Sequence, residues 1–187
     1  MRSIKKEKDL YFIALVPEEP VYSEIWQLKE EMRDRFETKA ALRSPPHITL
    51  HMPFKWSPEK ETVLFETLRS IAHEHKPLNL QLENFEAFEP RVIYINVLEN
   101  DALKTLQKAI ARKAASDWHI YQLPNSRPFR PHMTIAFRDL KKPKFHQAWS
   151  EFSKRQYKNQ CNISSISLLK HNGRTWDIHK KFNLSSS

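Results

Sequence analysis

Two five-residue stretches of the chain follow one pattern: Pro46-His47-Ile48-Thr49-Leu50 and Pro131-His132-Met133-Thr134-Ile135. In both, a proline precedes a histidine, and one apolar residue separates the histidine from a threonine. With 9 histidines and 7 threonines in the chain, chance alone would give about a third of one His-x-Thr sequence. Two copies with the same flanking residues therefore indicate a repeated unit that carries chemistry.

The spacing within each motif suits a β-strand. Side chains on a strand alternate between its two faces, so His47 and Thr49 share one face while their apolar neighbours occupy the other. The same holds for His132 and Thr134. We therefore expect the apolar residues to anchor each strand and the two His/Thr pairs to face each other across one cleft.

The hydrophobic pattern repeats in the two halves of the chain, and each half reads β-α-β-α-β-β. The predicted strands cover residues 10–16, 47–53, 78–88, 91–98, 131–137, 162–169 and 175–184. The predicted helices cover residues 20–39, a segment that begins at the N-cap Ser57, residues 101–117 with Asp101 as the cap, and residues 142–155. Asn172-Gly173 is a two-residue turn signal that predicts a hairpin between the last two strands.

This order of elements predicts an α+β fold. We expect a two-lobed pseudo-twofold duplication, with an antiparallel sheet and helices in each lobe and the active site in the cleft between the lobes. One domain would span residues 1–187, with repeat halves at about 10–88 and 89–185. Residues 1–9 read as a polar tail.

The composition narrows the classes of function. Lys and Arg number 31 against 22 Asp and Glu, and the net charge of +9 favours a polyanionic partner such as nucleic acid. The single glycine, Gly173, excludes glycine-rich phosphate loops. Cys161 is the only cysteine, which suits a reducing cytoplasm, and no apolar stretch is long enough to span a membrane. We expect a cytoplasmic monomer that is not attached to a membrane.

Two histidines and two threonines around one cleft suit displacement at the phosphorus of a phosphodiester. The entering and leaving oxygens lie on opposite sides of phosphorus, so the reaction needs a base on one side and an acid on the other. Imidazole serves in either role near neutral pH, and threonine hydroxyls can stabilise charge on the non-bridging oxygens. We therefore predict His47, Thr49, His132 and Thr134 as catalytic residues that need no metal or other cofactor.

With these motifs the sequence resembles the 2H phosphoesterase family, which includes 2′-5′ RNA ligase-like proteins and cyclic phosphodiesterases. The resemblance covers nearly the whole chain, from an opening strand at residues 10–15 to a second motif that matches over residues 129–136. It implies an enzyme that opens a 2′,3′-cyclic phosphate, or a related cyclic phosphodiester, at RNA or nucleotide ends by attack of water. It also implies that His132 is the base and His47 the acid.

Six further residues are candidates for substrate binding: Tyr11, His51, Phe54, Lys55, Phe129 and Arg130. Aromatic rings can stack on bases and basic groups can pair with phosphates, although the same aromatics also suit a core. Arg127 is a further basic residue beside the second motif. His51 shares the face of His47 if the alternation continues. It could complete a metal site with the motif histidines, but no Asp or Cys stands at ligand spacing nearby, so we predict no metal.

Two other functions stay open. An RNA 2′-5′ ligase would use the same cleft for the reverse type of chemistry, and an RNA-binding module would need no catalysis at all. The two intact His/Thr pairs argue against the binding module. Nothing in the sequence separates the ligase from the hydrolase, but the high concentration of water favours hydrolysis in an open cleft.

Overall fold

Within residues 8–120 and 128–185, which the computed structural model describes, alternating segments form eight strands and amphipathic segments form four helices. The strands are β1 (Asp9–Leu15), β2 (Ile48–Trp56), β3 (Leu78–Phe88), β4 (Val92–Val97), β5 (His132–Ala136), β6 (Lys158–Ile163), β7 (Ser165–His171) and β8 (Trp176–Asn183). The helices are α1 (Val21–Phe36), α2 (Glu61–His73), α3 (Asp101–Ser116) and α4 (Lys142–Phe152). Most of the predicted tail and Arg127 lie outside the described residues.

The strands form one curled antiparallel sheet in the order β6-β3-β4-β5-β2-β1-β7-β8. If β1 is exchanged with β4, β2 with β5, β3 with β7 and β6 with β8, the same order results, read from the other end of the sheet. A twofold axis between β5 and β2 has this effect. The predicted α+β class and its pseudo-twofold arrangement are thereby confirmed. The four strands on either side of the centre make up one lobe each, and the lobes meet where Ile48 of β2 pairs with Met133 of β5.

The lobes do not coincide with the two halves of the chain. β3 follows β2 in sequence, but it pairs with β4 and β6 in the other lobe. In the same way, β7 from the second half of the chain pairs with β1. Each lobe therefore combines strands from both halves, and the extent of the repeats, about 10–88 and 89–185, stays a prediction.

The single strand predicted over residues 162–169 is wrong. The structure has two strands there, β6 and β7, which are separated only by Ser164. β6 pairs at the edge of one lobe and β7 pairs inside the other, so the chain crosses between the lobes at this residue. The polar composition of β6 conceals it in the sequence, because only Cys161 and Ile163 of this strand are buried.

All four helices pack on one face of the sheet. α1 and α4 cover one lobe, and α2 and α3 cover the other. Their apolar stripes join the inward residues of the strands in one core that runs beneath both lobes. On the opposite face, Phe12, Ala14 and Leu169 form a small separate cluster with Trp176, so this helix-free face is the open side of the sheet. None of the described helices is both long and apolar enough to cross a membrane.

The ends of three elements test the local sequence signals. The hairpin predicted at Asn172-Gly173 is confirmed by the pairing of β7 with β8. The cap of α3, however, is Asn100, whose side-chain oxygen accepts a hydrogen bond from the backbone N–H of Leu103. Asp101 is the first residue of the helix, and Ser57 makes no side-chain cap bond. The apolar periodicity locates the helix ends only to within three or four residues: α1 ends at Phe36 and not at residue 39, α4 ends at Phe152 and not at residue 155, and α2 begins at Glu61. The backbone conformation of one residue decides the cap.

The position of the α3 cap can be tested by unfolding. Asn100→Ala should lower the free energy of unfolding by about 1 kcal/mol because an N-terminal N–H loses its acceptor. Asp101→Ala should lower it by no more than about 0.5 kcal/mol, the scale of a first-turn charge. Asn100→Asp keeps the acceptor and is the matched control in the same urea titrations. An equal loss in Asp101→Ala would contradict the assignment.

Candidate functional site

The register of β2 and β5 brings the two motifs together. Ile48 lies opposite Met133 in this antiparallel pair, so the same register sets each motif histidine opposite the threonine of the other motif. Cross-strand neighbours point to the same face, and Ile48 and Met133 are fully buried in the helix-covered core. The helix-free face at the centre of the sheet therefore carries His47, Thr49, His132 and Thr134, all partly exposed.

Both motif histidines make the same hydrogen bond. The Nδ1 atoms of His47 and His132 each lie 2.7 Å from the carbonyl oxygen two residues earlier, that of Pro45 or of Arg130. A carbonyl oxygen only accepts, so Nδ1 carries a proton and donates it. In a neutral imidazole held in this way, Nε2 is the unprotonated nitrogen and therefore a base.

Aromatic rings pack against both imidazoles. The ring centroids of Phe12 and His47 lie 5.0 Å apart, and so do those of Tyr94 and His132. Phe88 adds an edge-on contact with His132 at 5.3 Å. These contacts restrict rotation of the imidazoles and shield one side of each ring from water.

Burial favours the neutral form of both imidazoles. Burial, the Lys29 cation and the charge of His132 lower the pKa of His47 to about 4, against the opposing effect of its hydrogen bond to Pro45. Burial also lowers the pKa of His132, and the Arg130 guanidinium adds to this shift. Because the charge of one imidazole acts on the other, the two histidines titrate as a pair.

Lys29 is a buried cation that supports the first motif. It lies on α1 with 1% of its surface exposed, and burial lowers its pKa to about 7. Its Nζ donates to the carbonyl oxygens of Ala41 at 3.1 Å and Ser44 at 3.0 Å. Since Ser44 precedes Pro45, Lys29 holds the segment that supplies the hydrogen-bond acceptor of His47.

Arg130, a predicted substrate contact, borders the second motif. Its guanidinium pairs with the Glu86 carboxylate and lies 5.5 Å and 5.8 Å from the ring centres of Phe88 and Tyr94. Glu86 also accepts a hydrogen bond of 3.1 Å from the Tyr94 hydroxyl. The Arg130 side chain remains 55% exposed, so a cation is held in place beside His132 and stays open to an anion.

Three predicted substrate contacts lie in the core instead. Tyr11 and Phe54 are 0% and 6% exposed, with their rings stacked at 6.2 Å, and this burial leaves no ring face for a base. His51 is 5% exposed and lies edge-on to Phe54. The β1–β2 register shifts beside it, between Ile13 and Ala14, so the alternation that would keep His51 on the face of the motif histidine is interrupted.

The surroundings of the remaining two candidates, Lys55 and Phe129, do not decide whether these residues contact the substrate. Lys55 is exposed on β2, and Phe129 is half-buried against the main core, so their roles in substrate binding stay predictions. No three His, Cys, Asp or Glu side chains within the described ranges are grouped so that they could hold a metal ion. The independence from metal also stays a prediction.

Sequence reasoning missed several residues that shape the site, among them Phe12, Lys29, Glu86 and Tyr94. Lys29 leaves a signal that can be recognised, because it stands between Ile25 and Met32 on the buried stripe of a helix. A lysine in that position must be neutralised or hydrogen-bonded. The other three residues come from β1, β3 and β4, and no local spacing relates them to the motifs.

Comparison with known proteins gives matches over most of the chain. Residues 21–175 match the family described as the 2′-5′ RNA ligase superfamily. A protein from Geobacillus sp. (strain WCH70), provisionally named a phosphoesterase, is 28% identical over 176 residues, which are 92% of this chain and 94% of the relative. A protein from Shouchella clausii (strain KSM-K16) with the same provisional name is 28% identical over 92% of this chain and 96% of its own length.

Two solved structures share the fold. The crystal structure of E. coli LigT complexed with 3′-AMP is similar with a TM-score of 0.67 and 19% identity, over 96% of this chain and 100% of that chain. The crystal structure of TT0787 of Thermus thermophilus is similar with a TM-score of 0.66 and 18% identity, over 94% and 97%. The shared fold therefore covers nearly the whole of this chain and of both solved chains.

The influence of Lys29 on His47 can be measured directly. Lys29→Met keeps an apolar chain of similar length but removes the cation that disfavours a second positive charge, so the pKa of His47 should rise. NMR titration of the imidazole C–H signals measures this shift. The His51 signal in the same spectra is the control, since burial and not a neighbouring cation lowers the pKa of that imidazole. A folded variant with an unchanged His47 titration would contradict the proposed coupling.

Proposed function

The chain belongs to the 2′-5′ RNA ligase superfamily, the 2H phosphoesterases, and on this premise we propose that it hydrolyses a 2′,3′-cyclic phosphate, or a related cyclic phosphodiester, at RNA or nucleotide ends. One observation carries the proposal: the β2–β5 register gathers a histidine and a threonine from each lobe on the open face. The phosphoesterase names of the relatives and the nucleotide in the LigT complex agree with this substrate class.

The proposed reaction is a single displacement at phosphorus. A water molecule transfers a proton to Nε2 of the neutral imidazole, and its oxygen forms a bond to phosphorus. The bond from phosphorus to one ribose oxygen breaks, and the second imidazole, protonated at Nε2, transfers its proton to that oxygen. The product is a phosphate monoester beside a free ribose hydroxyl, and the histidine pair still holds one proton.

The threonines support the charge of the transition state in this proposal. Each one lies across the strand pair from a motif histidine, so its hydroxyl can donate to a non-bridging oxygen of a phosphate bound between the imidazoles. Hydrogen-bond donors that are already held where charge develops stabilise the transition state more than donors that must reorient during the reaction.

We assign His47 as the base and His132 as the acid. Burial and the Lys29 cation lower the pKa of His47 to about 4, so when the pair holds a single proton, that proton resides on His132. This assignment reverses the one that the family resemblance implies. It follows from the charges around the two rings. The Arg130 guanidinium near His132 is neutralised by Glu86, whereas the described contacts of Lys29, two carbonyl oxygens and the Trp26 ring, include no carboxylate.

The surroundings favour an anionic polymer as substrate. The net charge of +9 attracts RNA from solution, and Arg130 offers an exposed guanidinium beside His132. We propose RNA ends as the physiological partner of a monomer that acts in the cytoplasm.

The direct test uses two substrates, a 2′,3′-cyclic mononucleotide and an oligonucleotide with a 2′,3′-cyclic phosphate end, both in the presence of a chelator. We expect hydrolysis of the cyclic phosphate, with the 2′ and 3′ phosphate products separated by chromatography. Turnover that stops in chelator and returns with one added metal would contradict the metal-free mechanism. Joined RNA ends would identify a ligase, and RNA that is bound but unchanged would identify a binding module.

Substitution of the motif residues should separate their roles. His47→Ala and His132→Ala should each lower kcat by about 10²- to 10⁴-fold, the scale of a lost acid or base. Thr49→Ala and Thr134→Ala should cost about 10- to 10³-fold as lost hydrogen-bond donors. The double histidine variant should be far from additive because the pair acts as a unit. His146→Ala, an exposed histidine on α4, is the control and should retain full activity.

An aryl phosphodiester with a nitrophenolate leaving group distinguishes the acid from the base. Nitrophenolate departs without a proton, so this substrate should restore turnover in His132→Ala and leave His47→Ala slow. The opposite pattern would reverse the assignment, and failure to rescue either variant would refute the division into one acid and one base.

The rate should have an acidic optimum. Both imidazoles have pKa values below the ordinary value, which is about 6.5. As the pH falls towards 4, His47 takes up a proton and is lost as the base. As the pH rises through the lowered pKa of His132, the acid loses its proton. A plot of kcat/KM against pH should therefore be bell-shaped with its maximum below about pH 6.5; a maximum above neutrality would refute the role of burial.

A further inference from the structure

A cavity of about 340 Å³ lies beside the first motif. This volume is at the lower end of the range of small-molecule sites. We refer to it as the Trp26–Trp176 cavity, and the residues that matter here are Tyr22, Trp26, Arg43, Pro45, Trp176 and Asp177. They come from α1, from the segment that precedes His47 and from the start of β8, so the cavity lies where three elements meet at the edge of the open face.

The cavity is connected to His47 in two ways. Pro45 lines it and supplies the carbonyl oxygen that accepts the Nδ1–H of His47. On its other side, the Trp176 ring lies 4.7 Å from Phe12, whose ring lies 5.0 Å from His47. A group in the cavity is therefore only two ring contacts away from the imidazole.

The lining suits a nucleobase better than a phosphate. The ring planes of Tyr22 and Trp26 lie within 4° of parallel with centroids 6.3 Å apart, and Trp176 adds a third aromatic side chain. Aromatic rings bind bases by stacking on their flat faces. Arg43 can donate to a base and Asp177 can accept from its amino group, whereas the same carboxylate would repel a phosphate.

A second aromatic surface with an arginine lies on the opposite side of the motif pair. Phe88 contacts His132, and the Arg130 guanidinium lies 5.5 Å from the Phe88 ring centre. The phosphate site between the histidines is thus flanked by one such surface on each side. A cyclic mononucleotide has only one base and can occupy one of them, whereas the end of an RNA strand carries two neighbouring bases.

We propose that the Trp26–Trp176 cavity binds the base of the nucleotide next to the one that carries the reacting phosphate, so that the enzyme prefers oligonucleotide ends to mononucleotides. This inference rests on the proposed function and adds a second base-binding site to it.

The test compares a 2′,3′-cyclic mononucleotide with a dinucleotide that ends in the same cyclic nucleotide. The wild type should favour the dinucleotide by about 5- to 150-fold in kcat/KM, the equivalent of one stacked base. Trp26→Leu and Arg43→Gln should each reduce this ratio. Trp149→Leu replaces a half-buried tryptophan of α4 that does not line the cavity and should leave the ratio unchanged. Equal rates on both substrates in the wild type would overturn the proposal.

Calorimetry separates this proposal from the proposed function. A dinucleotide with a 3′-phosphate should bind the wild type more tightly than the matching nucleoside 3′-phosphate, and Trp26→Leu should remove the difference. If the protein hydrolyses neither cyclic substrate, the proposed function fails, but the binding difference still decides the site. If Trp26→Leu does not fold, the Arg43→Gln variant carries the test. Equal affinity for the two phosphates in the wild type would refute the second base site.

Discussion

The pairing of Ile48 with Met133 is the interaction on which the site depends. It joins the two lobes at the centre of the sheet and holds two apolar side chains in the core beneath. Because a strand alternates, burial of these two residues turns their polar neighbours to the open face. A shift of one residue in either strand would exchange the two sets and place the histidines in the core. The packing that stabilises the joint between the lobes therefore also determines the geometry of the histidines.

The electrostatics divide into a basic protein surface and a site whose imidazoles are neutral at rest. The net charge of +9 draws an anion towards the protein, while burial keeps the histidines unprotonated. An anion between the rings would favour charge on them, so arrival of the ligand itself promotes protonation of the pair. Lys29 opposes this effect for His47 because its charged form lowers the pKa of that ring. The asymmetry between two similar motifs thus comes from α1 and not from the motifs.

Local spacing was sufficient to predict the parts of the fold that follow from alternation or helical periodicity, including β2, β5 and the shared face of each His/Thr pair. Local spacing failed where residues far away in the sequence decide whether a side chain is buried and which face it occupies. Tyr11 and Phe54 are aromatic residues on strands, equally suited to a core or a cleft, and only the helices packed above them determine the outcome. His51 left the predicted face because the β1–β2 register shifts beside it, where β2 has one extra residue, Leu50, and the alternation is interrupted. β6 was concealed because a polar edge strand lacks the apolar signal of a buried one.

The exchange of β3 and β7 between the halves of the chain has a consequence for ancestry. In each half, one strand (β3 or β7) does not pair with the first two strands of its own half but with a strand of the other half, so two copies of the repeat would bind each other by trading those strands. This is the topology of a domain-swapped dimer, here joined end to end in one polypeptide. Gene fusion would have preserved that mutual dependence, with Ser164 now at the crossing. The two halves have diverged in sequence, but each lobe still contains strands from both of them.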